Sequence, residues 1–261
     1  MKIKYSINFI IFALVFFVSN IRAETILFDS KNIKIEENGD MIFATKGKAK
    51  IPSSNLIIEG DKFIYDKKNS ELIIIDDVKY FDNENDIYIE SQKIIYNEIE
   101  NTILSKSDTY ITNDENYKIN SSDVLYDRSL NKILSNEYTT VADKNENNFL
   151  FKKGLIFDLI PELISSKEVI VTDKNFNKYF FENSKIMLKI NEIIGKEVFV
   201  EFEDSFFGNE KNDPLLKGKS VISNDESTKI YKTVFSTCNK KNKKCRGWEM
   251  QSKIFTHNKI K

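Results

Sequence analysis

Few residues in this chain have the types and spacing for chemistry. Cys238 and Cys245 are its two cysteines, and His257 is its one histidine. A thiol pair can close a disulfide or share a metal ion. Zinc takes four ligands, and two thiolates with one imidazole leave such a site short. In an oxidising compartment a disulfide, within or between chains, is the default reading, with a metal pair as the alternative. His257 falls in a predicted strand and is assigned no catalytic role. No Gly-rich phosphate loop and no metal-ligand quartet is present. The 40 Asp and Glu residues leave a glycosidase carboxylate pair open, which turnover on a polysaccharide would reveal. The expectation is a protein that is not an enzyme and needs no cofactor or metal.

The first residues bear on the compartment. Lys2 and Lys4 precede an apolar run from Ile7 to Val18, and Ala23 supplies a small residue before Glu24. That is the layout of a secretory signal peptide over residues 1–23. The run is short for a membrane span of ~20 residues, and an uncleaved anchor is the alternative. The chain carries a net charge of −1, and removing Lys2, Lys4 and Arg22 with the signal leaves about −4. Nothing in that balance suggests a nucleic-acid partner, which calls for a basic surplus. With 41% hydrophobic residues the chain should fold, and its many Ile, Phe and Tyr favour strands.

The elements that position these residues announce themselves as a repeat. Segments 57–66, 87–97 and 117–127 share one phrase, ending in Tyr65-Asp66, Tyr96-Asn97 and Tyr126-Asp127. Extended both ways, the anchors are Ile35, Tyr65, Tyr96, Tyr126, Phe157 and Leu188, at gaps of 30, 31, 30, 31 and 31 residues. Two before each anchor stand Ile33, Phe63, Ile94, Val124, Leu155 and Ile186. Seven before stand Phe28, Ile58, Ile89, Ile119, Leu150 and Phe181. Seven after stand Ile42, Leu72, Ile103, Ile133 and Ile164, with Gly195 breaking the column.

Residues two apart share a face of a strand, so each anchor and its minus-two partner point the same way. Asp66, Asn97, Asp127 and Asp158 fit turns. Each repeat therefore supplies about two antiparallel strands, and stacked repeats bury one apolar face continuously. That face can be a plain sandwich core or the lining of a groove between sheets. Wide aromatic use, 20 Phe and 11 Tyr, suits an adaptable apolar lining. The candidate groove residues are Ile33, Ile35, Phe63, Tyr65, Ile94, Tyr96, Val124, Tyr126, Leu155 and Phe157.

The phrase Lys62-Phe63-Ile64-Tyr65-Asp66 resembles the repeats of the periplasmic OstA-type domain shared by the lipopolysaccharide transport families LptA, LptC and LptD. A sharper likeness lies in Lys232-Thr233-Val234-Phe235-Ser236-Thr237-Cys238, followed by Cys245-Arg246-Gly247-Trp248 and a strand carrying Lys253 and His257. This is similar to the segment of the LptD family, the LPS-assembly proteins, that joins the periplasmic domain to the barrel. The resemblance covers residues 24–261 and is weakest around 190–220.

The resemblance implies an all-β, repeat-built antiparallel jellyroll, V-shaped, over residues 24–230, with a Cys-containing linker at 231–261. It implies an exported chain on the periplasmic side of the outer membrane that binds lipopolysaccharide and passes it on. Family members continue into an outer-membrane barrel. Here the sequence stops at Lys261, and the expectation is a fragment, a split product or a stand-alone carrier. An LptA-like bridge protein would add to the N-terminal strands near Ile26 to Ile35, and an LptE-like lipoprotein would join only with a barrel. The family's cysteines in this region enter disulfides, and with the barrel cysteines missing, pairing of Cys238 with Cys245 is the simplest implied connection. The loop from Asn239 to Lys244 carries four lysines, a solvated charge run or a contact for anionic groups on the lipid. A purely structural repeat protein with a dry core is the competing class.

Overall fold

Ile, Val, Phe and Tyr alternate with polar residues over most of the chain, and that pattern builds strands with one buried face. The computed structural model describes residues 25–113, 117–174, 176–202, 215–236 and 249–259. Its regular elements are antiparallel strands joined by tight turns, with three short 3-10 turns at 37–39, 52–54 and 188–190. Among the described residues there is no α-helix, and so none long enough to cross a membrane.

Five long strands come first: β1 (Leu27–Glu36), β2 (Met41–Ile51), β3 (Leu56–Asp66), β4 (Glu71–Asp82) and β5 (Ile87–Asn97). Eight short ones follow: β6 (Thr102–Ser105), β7 (Thr109–Asn113), β8 (Tyr117–Ser121), β9 (Val124–Asp127), β10 (Lys132–Ser135), β11 (Thr139–Asp143), β12 (Asn148–Phe151) and β13 (Leu155–Asp158). Long strands resume with β14 (Leu163–Thr172), β15 (Lys178–Met187), β16 (Glu192–Glu201), β17 (Leu215–Ser223), β18 (Ser227–Ser236) and β19 (Glu249–Asn258).

Near the middle of every long strand one or more ladder pairs are missing. In alternate strands a non-glycine residue sits in the left-handed region there: Lys46, Asp76 and Asp77, Glu168, Glu197 and Lys232. At Asp76 and Asp77 the register shifts, a bulge that re-aims the side chains of β4, while at the other positions a ladder pair is skipped and the register is kept. Between β5 and β14 the same position breaks the strands altogether, giving the short pairs. The sheet thus has two wings. The first holds the half-strands that lead to the turns near 67–70, 98–101 and 128–131. The second holds those leading to 52–55, 83–86 and 144–147.

The ladders form a closed circuit of ten strands. From β5 one branch runs through β6, β9, β10 and β13 to β14, and the other through β7, β8, β11 and β12 to β14. Strands β4 to β1 extend the sheet on one side, and β15 to β19 on the other. The expected class, all-β and antiparallel, is what the chain adopts. Within that class the pairing closes a ten-stranded antiparallel barrel with extra strands on both sides. The physical reason is the mid-strand break, which lets one strand pair with two neighbours at its two ends.

The wings pack face to face. Tyr117 of β8 meets Phe157 of β13 with ring centroids 4.8 Å apart, and Tyr80 of β4 meets Tyr126 of β9 at 6.5 Å. Small residues sit where the wings converge. A Cβ on Gly60 would approach Ile74 Cγ2 to 2.5 Å, and one on Gly218 would approach Ile230 Cγ2 to 2.1 Å. Serines and threonines serve the same position in the centre. Ser105 Oγ and Thr109 Oγ1 lie 2.7 Å apart, with Ser91 Oγ 2.8 Å from Ser105, and Thr139 Oγ1 lies 2.9 Å from both Ser121 Oγ and Ser135 Oγ.

Candidate functional site: an interior clamped in the middle and open at the ends

The anchor and minus-two columns reach the interior as the repeat requires. Phe63, Tyr65, Ile94, Tyr96, Val124, Tyr126, Leu155 and Phe157 are all buried in one apolar core. They pack into that core together. Ile33 and Ile35 differ: they are 50% and 62% exposed. Their row partners explain why. Ile33 lies across from Ala44 and then Phe63, and Ile35 across from Ile42 and then Tyr65, so both face the interior from the outermost strand. The interior therefore opens beside β1.

Two assignments in the repeat shift by a step. Leu150 lies between buried Phe149 and Phe151 and faces outward, because the break at 152–154 is one residue longer than the break at 122–123. Gly154, with φ +71°, makes that turn possible: a Cβ there would lie 2.0 Å from the Ser135 carbonyl oxygen. Leu188 sits in a 3-10 turn, so Ile186 pairs with Ile193 to continue the inward row. Gly195, which breaks the sequence column, faces the Phe181 ring so closely that a Cβ would lie 2.4 Å from Cδ1.

A buried charge network fastens the wings in the middle of the molecule. Arg128, in the turn after β9 of the first wing, donates from Nε to Asp82 Oδ2 at 2.7 Å and from Nη2 to Asp82 Oδ1 at 3.2 Å. Asp82 ends β4 in the second wing. Arg128 also donates to the Ser54 carbonyl at 3.0 Å and to Asn101 Oδ1 at 3.0 Å. Tyr126 Oη and Asn85 Nδ2 donate to Asp82 at 2.9 Å each. Burial pushes the Asp82 carboxyl up, but hydrogen bonds from Arg128 and Asn85 and the guanidinium charge outweigh it and hold the group below its ordinary range. Burial beside the Asp82 charge pushes the Tyr126 phenol well above its ordinary value. Nothing in the sequence pattern singled out Arg128. The signal was the arginine itself, in a position where the other repeats carry Lys67, Glu98 and Leu159.

At the C-terminal end the interior is hollow. A cavity of about 320 Å³ is lined by Tyr179, Val200, Phe202, Leu216, Ile230, Phe235, Met250 and Phe255, with Thr228 and His257 at its margin. A second cavity of about 560 Å³ adjoins it and shares Tyr179, Phe202 and His257. Its other walls are polar: Asp173, Lys174, Asn177, Asn191, Asp225 and Lys259 among them. Asp173 accepts from Asn177 Nδ2 at 3.0 Å and from Tyr179 Oη at 3.1 Å, and Asn191 donates to Asp225. Lys259 donates to Ser223 Oγ at 3.1 Å, and burial pushes its ammonium down against the pull of Asp225 and Asp173. An oily hollow with a hydrophilic mouth suits a ligand with an apolar tail and a polar head. Among the described residues, no three His, Cys, Asp or Glu side chains converge as metal ligands.

No family model and no curated protein matches the chain. Cys238, Cys245 and the lysines of the 239–244 loop lie outside the described residues.

Proposed function

We propose that this chain binds the acyl chains of an amphipathic lipid, lipopolysaccharide by the resemblance of its repeats, and passes it on without chemical change. The observation that carries the reading is the apolar cavity at the C-terminal end, set directly against a polar one. Each methylene moved from water into such a hollow contributes ~0.8 kcal/mol, so a few acyl carbons suffice for capture. The apolar inner face, open beside β1 and again at β19, supports the same reading. It also supports the finer proposal of a V-shaped jellyroll of the OstA type, in which the ten-strand circuit is a gap at the fold of the V. The Lys232–Cys238 and Cys245–His257 segments favour an LptD-like chain exported to the periplasmic side of the outer membrane over an LptA- or LptC-like carrier. An LptA-like bridge at β1 and, where a barrel exists, an LptE-like lipoprotein belong to this proposal, as does a Cys238–Cys245 disulfide.

A second reading, a structural repeat protein with a dry core, is favoured by one observation: eight of the ten candidate groove residues are packed shut. Lipid recovery separates the two. The chain is incubated with lipopolysaccharide, re-isolated, and its bound lipid measured by mass spectrometry. Stoichiometric lipid is expected, falling at least about tenfold in Phe255→Asp, because a carboxylate in an apolar hollow is costly to bury. No bound lipid leaves the structural reading.

A further inference from the structure

Four successive turns of the first wing form one continuous edge. Those at 98–101, 128–131, 159–162 and 188–191 each end on a residue in the left-handed region: Asn101, Asn131, Glu162 and Asn191. Backbone hydrogen bonds tie each turn to the next. The Arg128 N–H donates to the Asn101 carbonyl at 3.1 Å, Leu159 N–H to Asn131 at 2.9 Å and Leu188 N–H to Glu162 at 3.0 Å. Each turn joins two strands of one sheet, so successive tips stand about 10 Å apart.

Every one of these turns presents an aliphatic side chain to solvent. Ile99, Leu130, Ile160 and Ile190 are 71%, 61%, 75% and 57% exposed. Turns are ordinarily built from Gly, Pro, Asn, Asp and Ser. The turns of the second wing follow that habit, with Ser53 to Asn55, Asn83 to Asp86 and Lys144 to Asn147. The exception among the described residues is Phe176, 73% exposed, in the turn that carries Lys174 and Asn177 to the polar mouth. Strand propensity does not account for the four aliphatics, since they lie outside the strands. Exposed apolar side chains gathered in this way mark a contact with a protein or a membrane.

Shape and charge select the membrane. The side chains protrude singly, with Glu100, Ser129, Pro161 and Lys189 beside them, and a protein partner would need a separate pocket for each. The headgroup layer of a bilayer conforms to such tips. The neighbouring charges, Glu100, Asp127, Asp158 and Glu162 against Lys132 and Lys189, show no basic surplus, so the attraction is apolar and not a pull towards anionic lipid. Hydrogen bonds between the turns hold the row in place before contact, which spares the cost of ordering loops. The row also ends at the cavities: Asn191, next to Ile190, lines the polar mouth.

We propose that this edge docks the protein on a zwitterionic lipid bilayer. Ile99, Leu130, Ile160 and Ile190 enter the boundary between headgroups and acyl chains, and the C-terminal mouth is held at the membrane surface. Docking requires only the edge; its use, to place the mouth where lipid is taken up or released, rests on the lipid-carrier reading.

The test is co-sedimentation of the full chain with phosphatidylcholine vesicles at low and high salt. Reversible binding of the strength that one acyl chain gives is expected, unchanged as salt is raised. Leu130→Ser with Ile160→Ser should weaken it about tenfold or more. Ile160→Trp should tighten it, since an indole favours the membrane interface. A control that removes two exposed apolar residues elsewhere, Leu27→Ser with Ile254→Ser, should leave it unchanged. Leu130 and Ile160 line neither C-terminal cavity. Their double variant should therefore match the native chain in denaturation midpoint and in the lipid recovered after incubation with lipopolysaccharide, so that docking and lipid uptake fail separately. No binding to the vesicles, binding lost at high salt, or equal binding by the Leu130 and Ile160 variant and the control overturns the proposal.

Discussion

The middle of the molecule and its C-terminal end are made from the same repeat and do opposite things with it. In the middle, Tyr80, Tyr96, Tyr126 and Phe157 fill the space between the wings, and Arg128 ties the rim of one wing to Asp82 of the other. At the end, Tyr179, Phe235, Met250 and Phe255 stand around a hollow, and polar groups at the rim leave a mouth. An apolar face alone thus does not decide between core and binding site. The decision lies in what spans the rim and in how many large rings share the space.

The largest effects are expected where that contrast is strongest. Replacing Arg128 by Met strands the Asp82 carboxylate in the interior and should cost about 3–5 kcal/mol in chemical denaturation, while replacing both Arg128 and Asp82 with apolar residues should recover most of the loss. Met250→Ala, at the open end, should cost less than ~1 kcal/mol. Equal losses at the two positions would erase the distinction between a clamped middle and an open end.

Gly218→Ala comes next. The added methyl would collide with Ile230, which lines the hollow, and press on Val198, at an expected cost of about 1–3 kcal/mol. If the end is as loosely filled as the cavity indicates, the loss should fall at the low side of that range, and Gly60→Ala, beside the packed core, at the high side.

Acid should act on the clamp and spare the end. The Asp82 carboxyl titrates below the usual carboxylate range when folded, so its contribution is complete above pH ~4 and is lost as pH falls further, through the folded value. Urea midpoints measured between neutral pH and about pH 3 should show this fall in the native chain and a flatter profile in Asp82→Asn. Smallest of all is Tyr80→Phe. The Tyr80 hydroxyl is buried with no hydrogen-bond partner, so its removal should change stability by no more than about 0.5 kcal/mol, and in the favourable direction. A loss above ~1 kcal/mol would show that this hydroxyl has a partner in solution.

The repeat made most of the strand pattern legible. The tyrosine anchors and their minus-two partners are inward-facing, and Asp66 and Asp127 turn the chain as expected, accepting from the backbone N–H of Asn69 and Leu130. The sequence also carries a column of small residues. Five before the anchor stand Ser30, Gly60, Ser91 and Ser121, all small, at the line where the wings converge. The closed circuit was not legible, since a strand that pairs with two different neighbours at its two ends leaves no mark on apolar periodicity. Leu150 was misplaced for a similar reason: one extra residue in a turn flips a strand's faces while the column of apolar residues continues. The hollow at the C-terminal end could not be read either. Its residues have the same apolar types as the core, and only the missing neighbour across the space sets them apart.

The claim that acyl chains enter at the open end and not through the clamped middle has a direct test. A photoreactive phenylalanine analogue is placed at position 255 or at position 126, and the chain is irradiated with lipopolysaccharide. The account predicts crosslinked lipid from position 255 and none from position 126 in the otherwise native chain. No crosslink at 255, or equal yields at both positions, would contradict it.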